Sequence, residues 1–164
     1  MLEFTLAGIP LIFVWISVVQ MAIGSWRYQT LQYATEAANA YISAHGSNCS
    51  KMTNNCSIQI KHAASIFRQA AIGIPDQSVS LTFRAFKSDH VSVSPTAVTC
   101  TLASCLTNTT SWPPAGFDDP GSDIEISASY TTAVNSGGAM LAGGSYLNVM
   151  GNNLPAYSRQ MVVF

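Results

Sequence analysis

Charge is scarce in this chain. Asp, Glu, Lys and Arg make up 9% of its 164 residues, where soluble domains average roughly 25%. Between Phe4 and Trp26 there is none at all. A soluble monomer this poor in charge lacks the self-repulsion that keeps proteins dispersed. The composition therefore points to a chain that works against lipid or against copies of itself. Basic residues number 7 and acidic residues 8, a formal net charge of −1. That balance removes the electrostatic case for nucleic acid, which needs a basic surface.

Motifs that carry chemistry are missing too. There is no CxxC and no HExxH, and His45, His62 and His90 are scattered, none at zinc spacing from a cysteine. They read as ordinary surface or loop histidines. The Gly-rich stretch from Ser136 to Ser145 has no Lys-Ser/Thr step, so it reads as a flexible loop and not as a phosphate cradle. No Ser, His and Asp set can be picked out as a triad. The expectation is a protein that is not an enzyme and takes no cofactor or metal. Asp118, Asp119, Asp123 and Glu125 cluster; they could hold a calcium ion, but a solvated acidic turn is the reading preferred. Asn48, Asn55 and Asn108 open glycosylation-type triplets, a pattern common by chance.

What is present is a long apolar run close behind a carboxylate. About 20 apolar residues cross a bilayer as a helix. Lys or Arg would normally precede a secretory segment of this kind, and here Glu3 does. A charge at the mouth of an apolar helix is costly unless paired. One reading gives Glu3 a salt bridge to the α-amino group of a neighbouring chain, which would specify register more than add stability. The other gives it only a favourable place at the positive end of the helix dipole.

Residues 1–45 read as one helix, roughly 65 Å long at about 1.5 Å per residue. Leu6, Ile9, Phe13 and Ile16 trace a stripe, but the first half is apolar all round. Gly8 and Pro10 weaken the helix there, since proline removes a backbone hydrogen bond. In hydrocarbon the freed carbonyl needs a protein partner. Past Ser25 the pattern turns amphipathic, with Tyr33, Ala37, Ala40, Tyr41 and Ala44 on one side and Gln29, Gln32, Glu36 and Asn39 interleaved. Arg27 marks the aqueous exit. By charge alone it would put that flank in the cytoplasm; the cysteines argue the reverse. The aromatics Phe13, Trp15, Trp26, Tyr28, Tyr33 and Tyr41 read as packing and interface residues.

A second helix is expected over 57–71, with Ile60, Ala63, Ala64, Phe67, Ala70 and Ala71 on its apolar face and Gly73 and Pro75 ending it. From Ser78 the period becomes two. Val79, Leu81, Phe83 and Ala85 alternate with polar residues, as do Val91 with Val93 and Ile124 with Ile126 and Ala128. Tyr157 to Phe164 is again strand-like. The predicted class is α+β: a long N-terminal hydrophobic helix, a short second helix and an antiparallel sheet. The division is 1–45, a transmembrane or filament-core helix, and 46–164, a globular head.

The cysteines are close in pairs, Cys49 with Cys56 and Cys100 with Cys105. Four cysteines allow three pairings, and sequence-local pairing is the simplest. Disulfides place the head in an oxidising compartment, the periplasm, cell surface or exterior. The alternative is free thiols in a reducing one.

The first 13 residues resemble the start of TadE-like proteins of the tight-adherence branch of type IV pili. The resemblance rests on the acid–aromatic pair Glu3-Phe4, the Ile9-Pro10-Leu11 step in an apolar helix, and the polar, Ala-rich helix from Gln29 to Ala44. It covers about the first 45 residues. It implies a type IV pilin-like fold, a basic leader removed by a prepilin peptidase, storage in a bacterial inner membrane, and handling by pilus assembly machinery. It further implies extraction into an extracellular filament of identical subunits, with helices bundled inside and heads outside. Type IV pilins usually carry the acid fifth in the mature chain; here it is third. On this reading Glu3, Phe4, Gly8, Pro10, Phe13, Trp15, Gly24, Arg27, Ala34 and Ala37 are assembly residues. The small ones allow close helix approach where lipid offers no hydrophobic contrast. The function expected is that of a structural filament subunit, with the loops around Trp112 and Gly138 as adhesive elements. The alternative is a monomeric membrane-anchored periplasmic binding or adhesion domain.

Overall fold

A computed structural model of the chain describes residues 2–44, 58–87, 97–114, 116–117, 121–131, 138–140, 146–148 and 153–162, and only the backbone of 2–7, 138–140 and 146–148. The arrangement is α+β, with a long N-terminal apolar helix, a short second helix and a four-stranded antiparallel sheet, consistent with a type IV pilin-like fold.

Helix α1 runs unbroken over Leu2–Ala44 with Pro10 inside it. Three of its hydroxyls bond back to the preceding turn, Ser17 Oγ on Phe13 O at 2.8 Å, Thr30 Oγ1 on Trp26 O at 2.9 Å and Thr35 Oγ1 on Leu31 O at 2.8 Å. This back-bonding lets Ser and Thr sit in an apolar helix without an exposed donor. Helix α2, Ile60–Ala70, begins at Gln59, whose side chain makes no capping bond. A neighbouring segment does that work: Ile60 N–H donates to Thr110 O and Lys61 N–H to Asn108 O, both at 3.0 Å. Orphan donors at a helix start need such partners. Ile60, Ala63, Ala64 and Phe67 are buried, as their spacing predicts.

The sheet follows. Strand β1 is Val79–Phe86 and β2 is Val98–Thr101. A four-residue helix α3, Leu102–Cys105, is capped by the Thr101 side chain. Strand β3 is Asp123–Thr131, and β4, Gly138–Met140, pairs with β5, Tyr146–Asn148. Strand β6 is Asn153–Met161. The main sheet has the order β2-β1-β3-β6, all antiparallel. Register sets Leu81 opposite Ala128, Phe83 opposite Ile126 and Ala85 opposite Ile124, so the expected apolar alternation forms one buried face. Pro155 lies in β6, an edge strand, where a missing donor is tolerated.

The buried face packs on the C-terminal half of α1, and α2 joins the same core. Here the rotation of α1 differs from the expectation. The buried positions are Leu31, Ala34, Thr35, Ala38, Asn39 and Ile42, while Tyr33 is 65% exposed and Ala40 and Ala44 are exposed. The Nδ2 of the buried Asn39 donates to Ile124 O and to Ser158 Oγ, each at 3.2 Å, while its Oδ1 is buried with no hydrogen-bond partner among the described residues. Beside it, Gln32 Nε2 donates to Tyr157 O at 3.0 Å and Ser43 Oγ to Gln160 Oε1 at 3.0 Å. A polar row thus stitches helix to sheet.

Other differences are local. The last strand begins earlier than expected, at Asn153. The Gly-rich stretch contains strand β4 and is not loop throughout. Trp112 is buried in the core, edge-to-face with Phe83 at 6.1 Å between centroids, so its ring is no adhesive surface. Cys100 and Cys105 form the expected disulfide, with Cα atoms 5.5 Å apart. The Cys49–Cys56 pairing, the Val91–Val93 strand, Asp118 and Asp119 lie outside the described residues, as do His45 and His90.

Candidate functional site

The head and its helix part company at one level. Between Gly8 and Ser25 no described residue of α1 is buried. From Ile9 to Ile23 eleven large apolar side chains are each between 39% and 70% exposed. Leu11 to Ile16 are exposed without interruption, so the surface is a collar round the whole helix and not a stripe. An apolar surface of this extent on a lone soluble chain is an association or membrane site. The helix is long and apolar enough over Gly8–Ala44 to cross a membrane, and it can serve as a membrane anchor.

The upper limit of the collar is set by two contacts. The Trp26 ring lies against the turn after α2, so close that a Cβ on Gly73 would fall 2.9 Å from Trp26 Cη2. Gly73 also has φ +79°, a conformation costly for residues with a side chain. One residue on, the Arg27 guanidinium stands 6.0 Å from the centroid of the Tyr130 ring, at the end of β3. Arg27 does sit where the apolar run stops; the sequence left unseen that the head meets the helix there.

The expected assembly residues divide between these regions. Gly8, Pro10, Phe13 and Trp15 lie in the uncovered half, and a Cβ on Gly8 would meet nothing within 4 Å. Gly24 and Ala37 are half-buried. Ala34 is fully buried in the head's own core, which corrects its place: it is a seam residue within the chain and has no surface to offer a neighbour. Glu3 and Phe4 belong to α1, and their side chains lie outside the described residues.

On the far face of the sheet the acids have arginine partners. Asp123 Oδ2 accepts from Arg159 Nε at 3.0 Å and from Nη2 at 2.8 Å, and the guanidinium stacks over Phe86 at 4.1 Å. Glu125 faces Arg84 at 3.7 Å. Asp123 and Glu125 therefore do not form the solvated acidic turn. Cross-strand register could have found the Arg84–Glu125 pair, whose members lie directly opposite each other; Arg159 also lies opposite Glu125 but reaches diagonally to Asp123. Among the described residues no group of three or more His, Cys, Asp or Glu is placed to hold a metal ion.

No match was found among protein-family models, curated proteins or solved structures. The collar, its upper boundary and the head above it are therefore what a functional reading must explain.

Proposed function

We propose that this chain is a structural subunit of an extracellular, type IV pilus-like filament of the tight-adherence kind. One observation carries the proposal. A single helix is packed along one face against its own head from Leu31 onward and has no buried residue from Ile9 to Ile23. A bare collar suits lipid before assembly and identical helices after it. Because lipid is itself apolar, the transfer is driven by packing and by small residues such as Gly8 and Gly24. Pro10 loosens the helix where neighbours must accommodate it. Glu3 pairs with the α-amino group of an adjacent copy and sets axial register. The disulfide-stapled head decorates the outside.

The experiment is negative-stain imaging of sheared surface material from cells carrying the wild type or Glu3→Ala. Wild-type cells should yield filaments containing this chain. Glu3→Ala should leave the subunit in the membrane and reduce filament yield. Normal yield from the variant would remove the role given to Glu3. Absence of the chain from every filament, with a monomer in detergent, would favour a tethered binding domain.

A further inference from the structure

We propose that the turn joining α2 to β1 is a second membrane contact: Ile72 dips into the lipid headgroup interface beside the exit of α1. The proposal rests on the membrane-anchor reading of the helix and is independent of filament assembly.

Ile72 is 71% exposed, while Ala71 and Ile74 on either side are buried. The turn is tight, with Ile72 N–H on Ala70 O at 3.0 Å and Ile74 N–H on Ala71 O at 3.2 Å. It thus anchors itself through its neighbours and holds one isoleucine outward. Tips of tight turns ordinarily carry Gly, Asn, Asp or Ser. The height of this tip is fixed by the adjoining Gly73, which abuts the Trp26 ring. The uncharged run from Phe4 to Trp26 is about 34 Å long as a helix, against a hydrocarbon core of about 30 Å. With the run spanning the bilayer, Trp26 falls at the headgroups, where Trp and Tyr are enriched. Trp26 and Ile72, both largely exposed and brought together by the Gly73 contact, then form one apolar patch continuous with the span, and Tyr28, exposed on another side of α1, lies at the same level. The charges at this end of the head suit a lipid surface: Arg27 lies beside Trp26, and Arg68 is paired with Asp76 at 3.1 Å. The occupant is lipid because the patch continues the span at the one height where a bilayer surface must lie.

The test uses the full chain in vesicles of zwitterionic and anionic phospholipid, with a nitroxide at Ile72→Cys, Phe13→Cys or Lys87→Cys and the wild type carried through the same labelling as a blank. Lys87 is exposed just past the far end of β1, a strand about 23 Å long. Accessibility to oxygen and to a water-soluble nickel chelate is read by power saturation. The label at position 72 should be shielded from nickel several-fold more than that at 87, at every protein-to-lipid ratio. Equal nickel access at 72 and 87, with 13 shielded, overturns the proposal. Shielding at 72 that grows with protein-to-lipid ratio shows that a second copy covers the turn, and overturns it too. Nickel access at 13 shows that the helix does not span, and the anchor reading fails with it.

Discussion

Replacing Ala34 by leucine separates the two halves of α1 most sharply. Ala34 is fully buried, flanked on the same face by Leu31, Ala38 and Ile42. The helix lies close enough to the sheet for the short Asn39 side chain to reach Ile124 O at 3.2 Å. Were there room, the added carbons would stabilise by about 0.8 kcal/mol each. There is none, and overpacking a filled site typically costs about 1–3 kcal/mol. Lifting α1 off the sheet to relieve the clash weakens the two Asn39 hydrogen bonds, each with a net value of about 1 kcal/mol. The expected loss is therefore about 2–4 kcal/mol. Denaturant unfolding of the full chain in detergent, followed by near-ultraviolet circular dichroism, measures it. Ala40→Leu, at an exposed position of the same helix, should shift stability by about 0.5 kcal/mol or less. An Ala34→Leu head as stable as the wild type, combined with a loss of assembly, would refute the placing of Ala34 in the intramolecular seam.

Arg159→Ala removes the donors to Asp123 Oδ2 and the stack on Phe86. It should lower stability by about 2–3 kcal/mol by the same assay, and an unchanged midpoint would mean the pair is solvated. Gly73→Ala meets both a positive φ and the Trp26 ring, and should cost at least about 1 kcal/mol, with a change in Trp26 fluorescence as the local readout. Replacing Cys100 and Cys105 together by alanine opens a loop with a sequence separation of 5. The expected cost is about 2 kcal/mol, seen as a lower unfolding midpoint without loss of the far-ultraviolet spectrum.

Strand faces were legible in the sequence because alternation is local. Val79, Leu81, Phe83 and Ala85 announce the inner face of β1 without reference to any partner. The apolar face of α2 was legible for the same reason. The rotation of α1 was not. Asn39 is buried because Ile124 O and Ser158 Oγ meet it across 85 and 119 residues of chain, and no local period encodes such a partner. Tyr33, hydrophobic by type, is left outside. The short pair β4 and β5, three residues each, carries too few alternating positions to register. As for the candidate site, the bare collar could be anticipated from missing charge alone. Its upper edge could not, because Trp26 against Gly73 and Arg27 over Tyr130 are contacts made only on folding.

The central claim is that the bare part of α1 ends its life enclosed by the same part of other copies. Cryo-electron microscopy of filaments sheared from the cell surface tests it most directly. The account predicts this chain in the filament wall, with its residues 9–23 packed against those of neighbouring copies at interaxial distances of about 8–10 Å and heads outermost. Filaments lacking the chain, or a chain found singly with residues 9–23 still embedded in lipid, would contradict it.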